Sequence, residues 1–120
     1  MTIPEQLTKI YYDKEYWHKT RMSVDEAIDY HKTRYENGDI QTYVRDGEVL
    51  GYYERYIVGN TCILYNYWIR EDLRNGIVHK DLKRRFFSSM PKNVKNIIGE
   101  CQKQGGRIME SRIRRTYGND

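Results

Sequence analysis

Three kinds of residue in this 120-residue chain have the type and spacing to do chemistry. Near the C-terminus, Arg107, Arg112, Arg114 and Arg115 stand against a single acid, Glu110. That cluster suits an acidic protein surface or a phosphate backbone, since clustered cations draw anions at long range. Six of the twelve tyrosines (Tyr43, Tyr52, Tyr53, Tyr56, Tyr65 and Tyr67) fall in one central stretch. Aromatics on an open sheet stack bases; rings alternating on both faces of a strand fill a core instead, and that is the expectation here. Histidines and cysteines are the third kind. His18, His31 and His79 have no i,i+4 partner and no cysteine companion, so no metal site is expected. Cys62 and Cys101 are too few for a disulfide framework and are expected to be buried thiols. His79 stands where a helix begins, within reach of an anion.

These groups must be carried by elements that the pattern predicts. Residues 3–20 read as a helix, with Pro4 in its first turn and Leu7, Ile10, Tyr11 and Trp17 on one face; a short strand over 10–12 is the competing reading. Ser23 with Glu26 is a capping-box pair, and Val24, Ala27, Ile28 and His31 make the stripe of a second helix that Asn37-Gly38 ends. Residues 41–45, 49–58 and 61–69 read as an antiparallel meander, turned at Asp46-Gly47 and Gly59-Asn60. In its third strand, strict alternation sets Cys62, Leu64, Asn66 and Trp68 on one face and Ile63, Tyr65, Tyr67 and Ile69 on the other. Both faces carry apolar groups, so the sheet should be covered on both sides. A basic helix over 76–89, burying Ile77, Leu82, Phe86 and Phe87, leads to a strand over 94–101. That helix should be the crossover bringing 94–101 parallel to the third strand. Residues 107–117 read as a last helix, with Ile108, Met109 and Ile113 inward.

Composition narrows the class. Charged residues make up 32% and apolar residues 38% of the chain. No apolar run approaches the ~18 residues of a membrane helix. The start, Met1-Thr2-Ile3-Pro4-Glu5, has neither the basic nor the apolar part of a secretory signal, so a cytoplasmic location is expected. The net charge of +4 is uneven: residues 1–60 hold 8 Lys/Arg and 11 Asp/Glu, and residues 61–120 hold 13 and 6. An anion would be steered toward the second half. With no Pro/Gly/Ser-rich linker, residues 1–120 are expected to form one domain.

The order of elements, and three stretches within it, resemble the GNAT (Gcn5-related N-acetyltransferase) family. Arg45-Asp46-Gly47-Glu48-Val49-Leu50-Gly51 resembles its x-x-D-G-x-x-x-G hairpin. Ile69-Arg70-Glu71-Asp72-Leu73-Arg74-Asn75-Gly76-Ile77 resembles its V-x-P-x-x-R-G-x-G-I-G turn into the third helix. Residues 107–118, ending Thr116-Tyr117-Gly118, resemble its N-x-x-A-x-x-x-Y-x-x-x-G-F helix. The resemblance implies an α+β fold: a mixed sheet of a three-stranded antiparallel meander plus one parallel strand, flanked by helices. It also implies acetyl-CoA as cofactor, cradled by the splayed end of the family's fourth strand. The backbone of Arg74, Asn75, Gly76, Ile77 and Val78 would hold its pyrophosphate at a helix start, with the Arg74 side chain and His79 adding charge.

The family's chemistry uses a glutamate near the fourth strand as base and a tyrosine on the last helix as acid. This chain has Asn66 at the base position and Arg114 at the acid position. Glu71 and Tyr117 are the candidate catalytic substitutes; Glu54 and Glu100 are further candidate bases, and Tyr65 and Tyr67 further candidate acids. The phosphate loop reads one residue short, with Val78 at its second glycine. The chain stops before the family's final strand pair, which would leave residues 94–101 as an open edge. The resemblance with these departures implies an interaction or structural module on a degenerate acyl-CoA site, the alternative being an active acetyl-CoA-dependent N-acetyltransferase. The expected partners are a protein or a second copy, through that edge and the basic helix carrying Arg107, Arg112, Arg114 and Arg115. A nucleic acid is the other partner chemistry, and no membrane is involved. In size and Tyr/Lys richness the chain also looks like a bacteriophage accessory or virion protein, located in the host cytoplasm or the virion.

Overall fold

The computed structural model describes residues 1–13, 22–101 and 107–112. Helix α1 (Ile3–Asp13) opens on a reciprocal cap, the Glu5 N–H on Thr2 Oγ1 at 3.2 Å and the Thr2 N–H on Glu5 Oε1 at 2.8 Å. Residues 10–12 are helical, and Trp17 lies outside the described residues. Helix α2 (Val24–Glu36) carries the predicted capping box between Ser23 and Glu26. The two helices are pinned by a 2.9 Å bond between Thr8 Oγ1 and His31 Nδ1, both residues buried.

The meander follows as predicted: β1 (Ile40–Arg45), β2 (Glu48–Val58) and β3 (Thr61–Ile69), each antiparallel to the next. At the first turn Asp46 and Gly47 both take positive φ, 52° and 78°, as a two-residue hairpin requires. A short 3₁₀ turn (Glu71–Leu73) leads into α3 (Ile77–Ser88), which crosses over to β4 (Asn96–Cys101). β4 lies parallel to β3, the predicted crossover geometry.

The predicted helix over 107–117 is corrected by the structure. Residues 107–112 form a fifth strand, β5 (Arg107–Arg112), antiparallel to β4 from Cys101↔Arg107 to Asn96↔Arg112. The sheet order is β1-β2-β3-β4-β5. The outer N–H and C=O groups of β4 require partners, and pairing them overrides the helical reading of a short segment. Residues 94–101 are therefore not an open edge: β4 is paired on both sides, and Val94 is buried ahead of it. Arg107 and Arg112 stand at the two ends of a strand, and Arg114, Arg115 and Tyr117 lie outside the described residues.

The sheet is covered on both faces. Against α3 lie Leu50, Tyr53, Cys62, Ile69, Val78, Leu82, Phe86, Met90 and Val94; toward α1 lie Leu7, Ile40, Val49 and Tyr52. Cys62 is a free buried thiol, held above its ordinary pKa by burial. Among the described residues, no helix is long and apolar enough to cross a membrane. Ile77 and Phe87, predicted to be buried, are exposed: the core-facing stripe of α3 is Val78, Leu82 and Phe86.

Candidate functional site

The alternation expected along β3 breaks at Tyr65. Glu54 pairs with Asn66, but the next residue, Arg55, pairs with Leu64, so Tyr65 is an extra residue in the strand. Cys62 and Leu64 thus share the α3 face with Ile69, while Asn66 and Trp68 turn to the opposite face. Tyr65 packs edge-on against Tyr56, 4.6 Å between centroids. Parallel pairing of β3 with β4 stops at the same point, its last rung being Leu64↔Gly99. From there β4 continues on β5, and residues 65–69 continue on β2 alone among the described residues. Beyond that rung the backbone groups of β3 on the β4 side have no ladder partner among the described residues, which makes the end of this ladder the candidate cleft.

The start of α3 stands where β3 ends. Asn75 takes φ +68°, a left-handed turn that asparagine tolerates better than most side chains. Gly76 is the N-cap and supplies no side-chain cap, so the first N–H groups of α3 point outward without helical partners. Arg74, expected to add charge there, turns back, its Nε donating to the Ile69 carbonyl at 3.2 Å. Ile77 is exposed and Val78 is 1% exposed. The valine at the expected glycine position fills the core: a Cβ on Gly51 would lie 2.8 Å from Val78 Cγ1, so Val78 occupies space that Gly51 leaves open. His79 meets Tyr67 on the unpaired part of β3, Nδ1 to hydroxyl 2.6 Å, and burial pushes the Tyr67 phenol up.

On the α2 face, Glu54 is 1% exposed. Its carboxylate accepts from the Tyr30 hydroxyl at 2.6 Å and from Asn66 Nδ2 at 2.9 Å, and it is ion-paired with Arg34 Nε at 2.7 Å. The Arg34 guanidinium lies over the Tyr56 ring, 3.6 Å from its centroid. Burial, then the bond to Glu54, pushes the Tyr30 phenol far above its ordinary value. Two hydrogen-bond donors, the ion pair and near-complete burial give Glu54 a structural role, and Asn66, at the expected base position, serves it. Glu71 is exposed in the 3₁₀ turn, and Glu100 is a β4 residue paired with Ile108. Sequence reasoning named Glu54 and Asn66 but missed Tyr30 and Arg34; their i,i+4 spacing on α2 was the available signal.

No family model matches the sequence, and no curated protein matches it. Solved structures do. The chain is similar to a PaiA N-acetyltransferase of Thermoplasma acidophilum in complex with coenzyme A, with TM-score 0.67 and 14% identity over 94% of this chain and 96% of that one. It is similar to an N-acetyltransferase of Staphylococcus aureus Mu50, with TM-score 0.59 and 14% identity over 86% of this chain and 67% of that one. It is also similar to a GNAT-like decarboxylase, GphF, in complex with isobutyryl-CoA, with TM-score 0.59 and 13% identity over 83% of this chain and 63% of that one. At such identities the likeness establishes the fold, which is that of the GNAT proteins.

Proposed function

We propose that this chain binds a CoA thioester in the cleft between β3 and β4 and works as an interaction module rather than as an efficient acyltransferase. The end of the parallel ladder at Leu64↔Gly99 carries the reading. A pantetheine arm has amide groups that bond to an unpaired strand edge, and residues 65–69 offer one. A diphosphate needs convergent N–H groups, and the uncapped start of α3 offers them beside the same edge. The residues present fit the group, with the Arg74 guanidinium anchored through its Nε to the Ile69 carbonyl beside the helix start. Two structural neighbours are described as complexes with CoA or an acyl-CoA, which supports the same ligand class.

When bound, such a ligand supplies an acyl group activated toward amines. The chain's own part is to hold and orient it. Of the candidate bases, Glu54 is sealed by Tyr30, Arg34 and Asn66, and Glu71 is exposed in the 3₁₀ turn, without a partner that would hold it as a base in this reading. Without acid and base, each worth about 10²–10⁴ in rate, turnover stays low. The interaction role rests on β5, whose outer edge is open for pairing among the described residues and whose ends are Arg107 and Arg112. A bacteriophage accessory or virion protein is the setting proposed for such a module.

One observation favours the second reading, an active N-acetyltransferase. The Tyr67 hydroxyl, bonded to His79 beside the cleft, is a phenol placed to give up a proton. Calorimetry with acetyl-CoA and a turnover assay on a panel of amines decide between them. The expected result is saturable micromolar binding with acetylation near background. Absence of binding at millimolar acetyl-CoA overturns the proposal. Clear acetylation, lost in Tyr67→Phe, Tyr117→Phe or Glu71→Gln, establishes the second reading.

A further inference from the structure

We propose that Asn75 is a deamidation site, and that its conversion to aspartate or isoaspartate is a slow, one-way switch at the start of α3. Two asparagines of the chain precede a glycine, Asn37 and Asn75. A following glycine leaves its backbone nitrogen open to attack the asparagine amide, because no Cβ crowds the ring that forms. The two sites differ in what holds them. At the end of α2, Asn37 Oδ1 accepts from the Asp39 N–H at 3.0 Å. The Gly38 N–H, the nucleophile of that pair, donates to the Tyr35 carbonyl at 3.3 Å. At the start of α3, neither the Asn75 amide nor the Gly76 N–H has a hydrogen-bond partner among the described residues. Asn75 is also exposed to water and held at φ +68°, a backbone conformation that costs an L residue energy.

The reaction balances with water alone. Hydroxide takes the Gly76 amide proton, and the nitrogen bonds to Asn75 Cγ. The Cγ–Nδ2 bond then breaks, and ammonia leaves with a proton returned from water, which closes a succinimide ring. One water opens that ring. Opening at Cγ gives aspartate; opening at the main-chain carbonyl gives isoaspartate, whose chain runs through the side-chain carbons and is one methylene longer. Either product sets a carboxylate immediately before the N-cap Gly76, where the first N–H groups of α3 have no helical partners. The conversion stands on its own geometry, whereas its consequence rests on the reading of that helix start as the diphosphate site. There the new carboxylate is favoured by the helix dipole and repels the diphosphate.

Peptide mapping by mass spectrometry during incubation in mildly alkaline buffer, with acetyl-CoA calorimetry on the same samples, tests both parts. Asn75 should convert at a rate first order in hydroxide while Asn37 stays intact. Acetyl-CoA affinity should fall by about tenfold in step with that conversion, the effect of one like charge in a partly screened site. Freshly prepared Asn75→Asp should start at the lowered affinity. Two variants block the reaction: Asn75→Gly removes the amide, and Gly76→Ala sets a Cβ against ring closure. Glycine accepts the left-handed backbone at 75, and the Cβ added at 76 lies 3.5 Å from the Leu73 carbonyl oxygen, an ordinary contact. Circular dichroism checks that each variant folds. In both, acetyl-CoA affinity should hold constant through the incubation. An intact Asn75, or an Asn37 that converts as fast, overturns the assignment. Conversion of Asn75 with unchanged acetyl-CoA affinity overturns the switch. Failure of the fresh wild type to bind acetyl-CoA overturns the cleft reading and the switch with it, while peptide mapping still decides the modification site.

Discussion

Glu54 and Glu71 are both candidate bases, and their surroundings give them opposite significance. Removing the charge of Glu54 leaves the largely covered Arg34 with Asp39, 3.6 Å away and partly exposed, as its remaining anion. Glu54→Gln should therefore destabilise the fold by about 3–5 kcal/mol, whereas the exposed Glu71→Gln should change stability by no more than about 0.5 kcal/mol. Urea unfolding of the two variants makes the comparison, and equal effects would refute the structural role of Glu54. Tyr53 provides a test of opposite sign. Its hydroxyl is buried with no hydrogen-bond partner among the described residues, within a core of Leu82, Phe86 and Val78. Tyr53→Phe removes a desolvated polar group at little cost in packing, so it should stabilise the protein by about 1 kcal/mol in the same measurement.

At the scale of elements, the junction of β3 with α3 is set by a few local choices. Tyr65 is an extra residue in β3 where its pairing with β4 ends, Asn75 takes a left-handed conformation, and Gly76 starts a helix without a side-chain cap. An uncapped start costs helix stability and leaves N–H groups for a ligand. Gly76→Asp should reverse both effects. The aspartate caps the helix and complements its dipole, stabilising by about 0.5 kcal/mol. The same carboxylate would meet the diphosphate, so acetyl-CoA affinity should fall by about tenfold, the effect of one like charge in a partly screened site. Thermal denaturation and calorimetry on one preparation read the two signs. A variant that gains stability and keeps full affinity would separate the helix start from the ligand.

For the molecule as a whole, buried phenols tie folding to alkaline pH. Burial pushes Tyr52 far above its ordinary value, and burial together with Glu54 does the same to Tyr30. Both therefore stay protonated in the fold where the unfolded chain, with phenols titrating near pH ~10, loses its protons. The unfolded state then binds fewer protons than the native one, so stability is intact below pH ~10 and falls as pH rises through it. Denaturant unfolding from pH 8 to 11.5 should follow that course, with a slope near ~1.4 kcal/mol per pH unit for each fully retained proton. Tyr30→Phe should make the fall shallower, and an unchanged slope would show that Tyr30 does not contribute.

Much of this architecture was legible in the sequence because its signals are local. The Ser23–Glu26 pair, the Asp46-Gly47 turn and the apolar strands each specify their element within a few residues, and a parallel strand after a helix admits one handed crossover. Local pattern misread residues 107–112, because their conformation is decided by the unpaired edge of β4 rather than by their own periodicity. It also misread the faces of β3, since a bulge arises from two strands in register and has no mark in either one alone. The candidate site divides the same way. Arg74 to Val78 could be located at a helix start from the sequence. That Arg74 folds back to Ile69, that Val78 fills the space left by Gly51, and that Tyr30 and Arg34 close over Glu54 are matters of tertiary packing. Side chains far apart in the chain acquire their chemistry from the neighbours that packing gives them, and only the folded structure assigns those neighbours.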